Sequence, residues 1–187
     1  RLLDIGRQLH LLASRGWAHF FLGSVHYWRN ELPEAADHFG ALVERPYGAN
    51  SLAIIHGHCG LAMTYMGQGR AADAVEVLEA AFAQAAETGS VVHTRHVQAF
   101  EAHLALLQGR KAAAAVWADQ NPDTRPWLPM YFTEIPALTW VRIRIAEGTQ
   151  TSLAQAAAVL ADVRHFVLET HNIVRLIDVL ALEGLLH

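Results

Sequence analysis

Four turn-forming residues recur at an almost constant interval along this chain. Asn30, Gly69, Gly109 and Gly148 are separated by 39, 40 and 39 residues. Gly and Asn are the residues that most readily take the left-handed conformation ending a helix. Each of the four follows an apolar run with helical spacing: Trp17–Trp28, Leu52–Met66, Val97–Leu107 and Leu138–Ala146. Five residues beyond each lies Ala35, Ala74, Ala114 or Leu153, inside a second apolar run. The unit is therefore helix, tight turn, helix. One such unit cannot bury its own apolar face, so successive units must stack on one another.

Further positions follow the same register. Seven residues before each turn stand Gly23, Ala62, Ala102 and Val141, mostly small, where two helices would approach closely. One residue earlier are Leu22, Leu61, Glu101 and Trp140, with Glu101 out of pattern. Nine residues after each turn come Phe39, Leu78, Ala118 and Ala157, a column that shrinks along the chain. Pro33 suits a first helical turn, while Pro46, Tyr47, Gly48 and Asn50 separate the first unit from the second. Thr88, Gly89 and Ser90 separate the second from the third. The longest irregular stretch, residues 119–129, holds Pro122, Pro126, Pro129 and Trp127 and is too apolar for a flexible linker. These breaks give one domain over 1–187, with a half unit at 1–14, units at 16–48, 50–89, 91–130 and 132–170, and a half unit at 172–187. Helical periodicity running to both ends (Leu2, Leu3, Ile5, Leu9 and Leu12; Ile177, Leu180, Leu182, Leu185 and Leu186) leads us to expect a segment of a longer helical protein.

Composition agrees. The chain has 187 residues, 52% apolar and 17% charged, which excludes a disordered polymer. Ala and Leu, 32 and 24 residues, favour helix. A net charge of −4 leaves no basic surplus for a phosphate backbone, so no direct nucleic-acid partner is expected. Cys59 is the single cysteine and cannot form an internal disulfide. No apolar run reaches the length of a membrane span. A cytoplasmic location is expected.

The pairs Leu22-Gly23 and Leu61-Ala62, with Ala35, Phe39, Tyr65, Gly69, Ala74 and Ala81, resemble the tetratricopeptide (TPR) pattern, whose usual period is shorter, about 34 residues. Longer repeats of this kind look like the C-terminal sensor segment of LuxR-type, ATP-dependent transcriptional regulators, the class of the maltose-regulon activator. The stretches 60–70, 100–109 and 175–182 carry most of that similarity. The resemblance implies an all-α, right-handed superhelix (an α-solenoid of helical hairpins with a 39–40 residue period). It also implies a sensor and oligomerisation role in a protein that places a signal-transduction ATPase before the repeats and often a DNA-binding helix-turn-helix after them. Neither activity is expected in this segment: no phosphate-binding loop occurs, and Lys111 is the sole lysine.

Twelve histidines raise the question of metal chemistry. His56 with Cys59, and His93 with His96, share helix faces at a spacing of three, but neither makes a recognised zinc pattern. No metal, cofactor or catalytic residue is expected, since no nucleophile elbow or paired-carboxylate site can be assembled. Binding is the expected task. Stacked hairpins line a concave surface with their first helices, here with Trp17, Phe20, Ser24, Tyr27 and Trp28, then His56, Met63 and Met66, then His96 and His103, then Leu138 and Arg142. Among these the column Ser24, Met63, His103 and Arg142 stands out, with Arg142 suited to a carboxylate or phosphate. The partner is a small-molecule inducer, or a protein or peptide if the chain is a general TPR scaffold. Exposed ends of the helical stack would favour self-association.

Overall fold

The computed structural model describes residues 12–44, 50–122, 133 and 135–186. Its regular elements are all α-helices: α1 (Leu12–Trp28), α2 (Leu32–Glu44), α3 (Ser51–Gly67), α4 (Ala71–Thr88), α5 (Val91–Leu107), α6 (Lys111–Gln120), α7 (Pro136–Glu147), α8 (Gln150–Glu169) and α9 (Ile173–Gly184). No strand occurs among the described residues. The expected half unit at 1–14, apart from the start of α1, lies outside them. So do the connector residues Pro46, Tyr47 and Gly48, and Pro126, Trp127 and Pro129 of the long loop. The chain forms two compact units, one up to Val97 and one from Gln98, with the boundary inside α5.

The four recurring residues all adopt the left-handed backbone, with φ of 60° at Asn30, 76° at Gly69, 76° at Gly109 and 68° at Gly148. At three of them the closure is the same. The amide after the turn reaches back five residues: Glu31 to the His26 carbonyl (2.9 Å), Arg70 to Tyr65 (2.8 Å) and Arg110 to Ala105 (2.8 Å). This bond satisfies a carbonyl that the ending helix leaves open. The second helix then begins two residues after each turn residue, at Leu32, Ala71, Lys111 and Gln150. Its first bond also repeats. Ala35, Ala74, Ala114 and Leu153 donate to the carbonyls of Glu31, Arg70, Arg110 and Thr149 at 3.0, 3.1, 3.3 and 2.9 Å. Four hairpins therefore start in one frame. Two further left-handed residues lie between hairpins. Gly89 (φ 61°) joins α4 to α5, and His171 (φ 52°) joins α8 to α9, where the Asn172 amide reaches back to Val167 (2.9 Å). Histidine has a Cβ that glycine lacks, so its left-handed backbone costs about 1–2 kcal/mol.

In the first unit α1 packs on α2, α2 on α3 and α3 on α4, and α1 also touches α3. Phe39 of α2 is the centre of this packing, at 1% exposure. Its ring lies against Gly23 of α1 and Gly60 of α3. A Cβ on Gly23 would stand 2.8 Å from the ring, and one on Gly60 would press into it more deeply. A Cβ on Gly57 would likewise meet Leu42 at 2.6 Å. Missing side chains on α1 and α3 thus make room for a large one on α2. Residues 53–62 of α3 are buried on every side of the helix.

In the second unit α7 packs on α6 and α8, and α9 packs on α8 and touches α7. Leu138, Val141 and Ile143 of α7 join Ala156, Leu160, Val163 and Val167 of α8 and Val179 and Leu182 of α9 in one core. Polar groups tie α6 to α7. The Trp140 indole N–H donates to the Ala118 carbonyl (3.0 Å), and Arg144 pairs with Asp119 (2.7 Å) and Glu147 (2.8 Å) while lying 4.8 Å over the Trp140 ring.

The buried columns follow the expected register in three hairpins and slip in the fourth. Gly23, Ala62, Ala102 and Val141, seven residues before the turns, are all buried, as are Phe20, Cys59, Ala99 and Leu138, ten before. Beyond the turns Ala35, Ala74 and Ala114, then Phe39, Leu78 and Ala118, are buried too. In the fourth hairpin Leu153 is only half-buried and Ala157 is exposed, while Ser152 and Ala156 take the buried places. Two local causes stand beside the slip. α7 runs to within one residue of Gly148, whereas α3 and α5 stop two short of their turn residues. A reciprocal capping box then fixes the start of α8, with the Thr149 hydroxyl accepting from the Ser152 amide and the Ser152 hydroxyl accepting from the Thr149 amide.

Candidate functional site

The expected concave-face residues divide between the two units. Trp17, Ser24, Tyr27, Trp28, His56, Met63 and His96 belong to the first, His103 and Arg142 to the second. In the first unit the structure brings together His56 of α3 and His96 of α5. Both stand thirteen residues before their turns, and their rings meet edge to face with centroids 5.2 Å apart. Equivalent positions of successive first helices therefore touch. Trp17 holds the same place in α1, half-buried, stacked on Phe21 (5.8 Å) and edge-on to Phe20 (5.9 Å).

Burial separates residues that can meet a ligand from those that cannot. Phe20 and His56 are fully buried. Ser24 is buried and its hydroxyl donates to the Phe20 carbonyl (2.9 Å) within its own helix. Tyr27, Met63 and Met66 are half-buried, and Trp28 is 52% exposed. His96 has 8% exposure. Its Nδ1 lies 2.8 Å from the Val92 carbonyl, so that nitrogen carries a proton and donates it there. Next to it, His93 Nδ1 lies 2.8 Å from the Thr88 hydroxyl, which itself donates to the Ala85 carbonyl (2.7 Å) and so accepts from His93. Burial lowers the His93 pKa, and the nearby His96 lowers it further. In the second unit His103 is nearly buried with its ring edge-on to Phe100 (6.4 Å). Arg142 is half-buried. The arginine engaged in ion pairs on that helix is Arg144.

A second histidine group was not anticipated. His19 and His26 of α1 and His38 of α2 lie side by side. The Nδ1 atoms of His19 and His38 are 3.1 Å apart, and the His26 ring stacks on His38 with centroids at 5.3 Å. His26 Nδ1 meets the Glu31 carboxylate at 2.6 Å. Burial lowers the His38 pKa, and His26 adds to this, while Asp37 opposes it. The signal available in the sequence was the seven-residue spacing of His19 and His26 on one helix face, together with the hairpin that folds His38 back onto it. His58 is different again: nearly buried in α3, with Nδ1 lacking a hydrogen-bond partner, its pKa is pushed down to about 4 by burial.

These groups can accept protons and hydrogen bonds. Among the described residues no three or more His, Cys, Asp or Glu side chains are placed to hold a metal ion. No helix among them is long and apolar enough to cross a membrane. No protein-family model matches the chain, and searches of curated proteins and of solved structures found no similar protein.

Proposed function

We propose that this chain is a non-catalytic binding segment, a right-handed superhelix of TPR-like hairpins that serves as the sensor part of a LuxR-like signal-transduction ATPase regulating transcription. The observation that supports it best is the repetition of one turn geometry at 39–40 residue intervals, with His56 and His96 meeting at equivalent positions of successive hairpins. Stacked hairpins present their first helices to a ligand. On that surface the first unit offers half-buried aromatics and methionines beside histidine side chains, a lining suited to a small polar molecule with an apolar body. The ligand acts by binding one state of the parent protein more tightly than the other.

The test is a thermal-shift screen of the chain against sugars, nucleotides, amino acids and divalent metals, with a chelator as control. A saturable rise in Tm with one chemical class is the expected result. A flat response to all of them would contradict the sensor reading. A second reading, a scaffold for a partner helix, is favoured by the exposed residues Phe21, Val25 and Trp28, which share one face of α1. Capture of a peptide on that face, lost on Phe21→Glu, would support it over the sensor.

A further inference from the structure

His19 of α1 and His38 of α2 are nineteen residues apart in the chain, and the first hairpin brings their Nδ1 atoms to 3.1 Å. The rings are tilted by 53° with centroids 5.3 Å apart, so their nitrogen edges are closer than their faces. A contact of this length needs a lone pair on at least one of the two nitrogens, since two N–H groups would repel.

Two imidazole nitrogens at this separation also suit a metal ion. Bonds of about 2.0–2.1 Å to atoms 3.1 Å apart enclose an angle of about 100° at the ion, between the tetrahedral and the cis-octahedral values. Both rings are half-buried, so an ion reaches them from water and sheds part of its own shell on binding. Neighbours hold the pair in place. The His26 ring stacks on His38 at 19° with centroids 5.3 Å apart, and Glu31 holds His26 Nδ1 at 2.6 Å. Arg29 pairs with the other Glu31 oxygen (2.9 Å). Next to His38 in the chain, the Phe39 ring lies against Gly23 of α1 and sets the depth of the hairpin. Ligands oriented by such supports bind an ion with less loss of freedom.

We propose that His19 and His38 form a two-nitrogen site across the α1–α2 hairpin for a divalent transition-metal ion such as Zn2+, the class that imidazole favours. This goes beyond the sensor reading and does not depend on it. No third His, Cys, Asp or Glu among the described residues completes the set, so water fills the remaining positions of the ion. Both rings carry their proton on Nε2 in the bound form, which the hydrogen-bonded pair reaches by one change of tautomer. Mg2+ and Ca2+, which take oxygen ligands, are poorly served by two nitrogens.

The test is calorimetric titration of the whole chain with ZnCl2, with MgCl2 as the control. Saturable zinc binding is expected, with no binding of Mg2+. His19→Gln and His38→Gln should each weaken zinc by at least about tenfold. His165→Gln, on the exposed side of α8, should leave it unchanged. A second readout needs no variant to fold. In the parent chain labelled with 15N at histidine, saturating zinc should shift the Nδ1 signals of His19 and His38 and leave the other rings in place. Absence of zinc binding would overturn the proposal. So would binding that both Gln variants leave unchanged, or a spectrum in which other imidazoles move instead, because the ion would then sit on other histidines.

Discussion

Helices α3 and α9 occupy equivalent places in the repeat, and they bury their surfaces in opposite ways. α3 is enclosed from residue 53 to 62 and is built there largely of small and polar side chains: Ala53, His56, Gly57, His58, Cys59, Gly60 and Ala62. α9 buries Arg175, Val179 and Leu182 on one side and shows Ile173, Ile177 and Leu180 on the other. The two helices are similarly apolar, yet only α3 is enclosed. Enclosure among three neighbours selects for close approach, which glycine and alanine allow, while bulk is supplied by the neighbours, above all by Phe39. Apolar content alone does not rank helices by depth.

The largest expected effect comes from removing that bulk. Phe39→Ala should cost about 3–5 kcal/mol in urea unfolding, the usual range for a large buried aromatic. Leu180→Ala, half-exposed on α9, should cost less than about 1 kcal/mol, since little of its surface leaves water. Equal losses at the two sites would erase the contrast between the helices.

Acid should act on the enclosed helix. The folded-state pKa of His58, about 4, lies below its ordinary 6.5, so the unfolded chain takes up a proton first as the pH falls. Stability is fully present above pH 6.5 and is lost on the way down to about pH 4, by roughly 3 kcal/mol from this group. His38 and His93, also lowered, add in the same direction. Urea midpoints measured across that window should fall steeply in the parent protein and less steeply in His58→Leu. An equal slope in both would remove His58 from the account.

Glycines sharpen the comparison further. Gly60→Ala drives a methyl into the Phe39 ring and should cost about 1–3 kcal/mol. Gly184→Ala at the end of α9 meets nothing within 4 Å and should gain about 0.5 kcal/mol from helix propensity. Opposite signs in paired melting curves are the outcome to look for. In the fourth hairpin Thr149→Ala removes half of the capping box and should cost about 1 kcal/mol.

Much of this was legible in the sequence because turn chemistry is local. Asn30, Gly69, Gly109 and Gly148 were readable as left-handed residues, and the starts of the second helices followed from them. His171 was not, since histidine takes that backbone less readily than glycine does. The slip to Ser152 and Ala156 was hidden because it depends on how far α7 runs toward Gly148 and on a cap between two hydroxyl side chains, neither of which changes the apolar pattern. Within the candidate site, His56 and His96 could be placed on one face by the period alone. The group of His19, His26 and His38 needed the depth at which α2 packs on α1, and that depth is set by Phe39 and Gly23 rather than by the histidines.

The most direct test uses the one cysteine of the chain. Cys59 of α3 is fully buried, whereas Ile177 of α9 is 64% exposed. Thiol labelling with Ellman's reagent in native buffer should leave Cys59 unreacted until denaturant unfolds the chain. Ile177→Cys on a Cys59→Ala background should react within seconds. Rapid labelling of Cys59, or protection of the thiol at position 177, would contradict the claim that α3 is closed around Cys59 while α9 is open at Ile177.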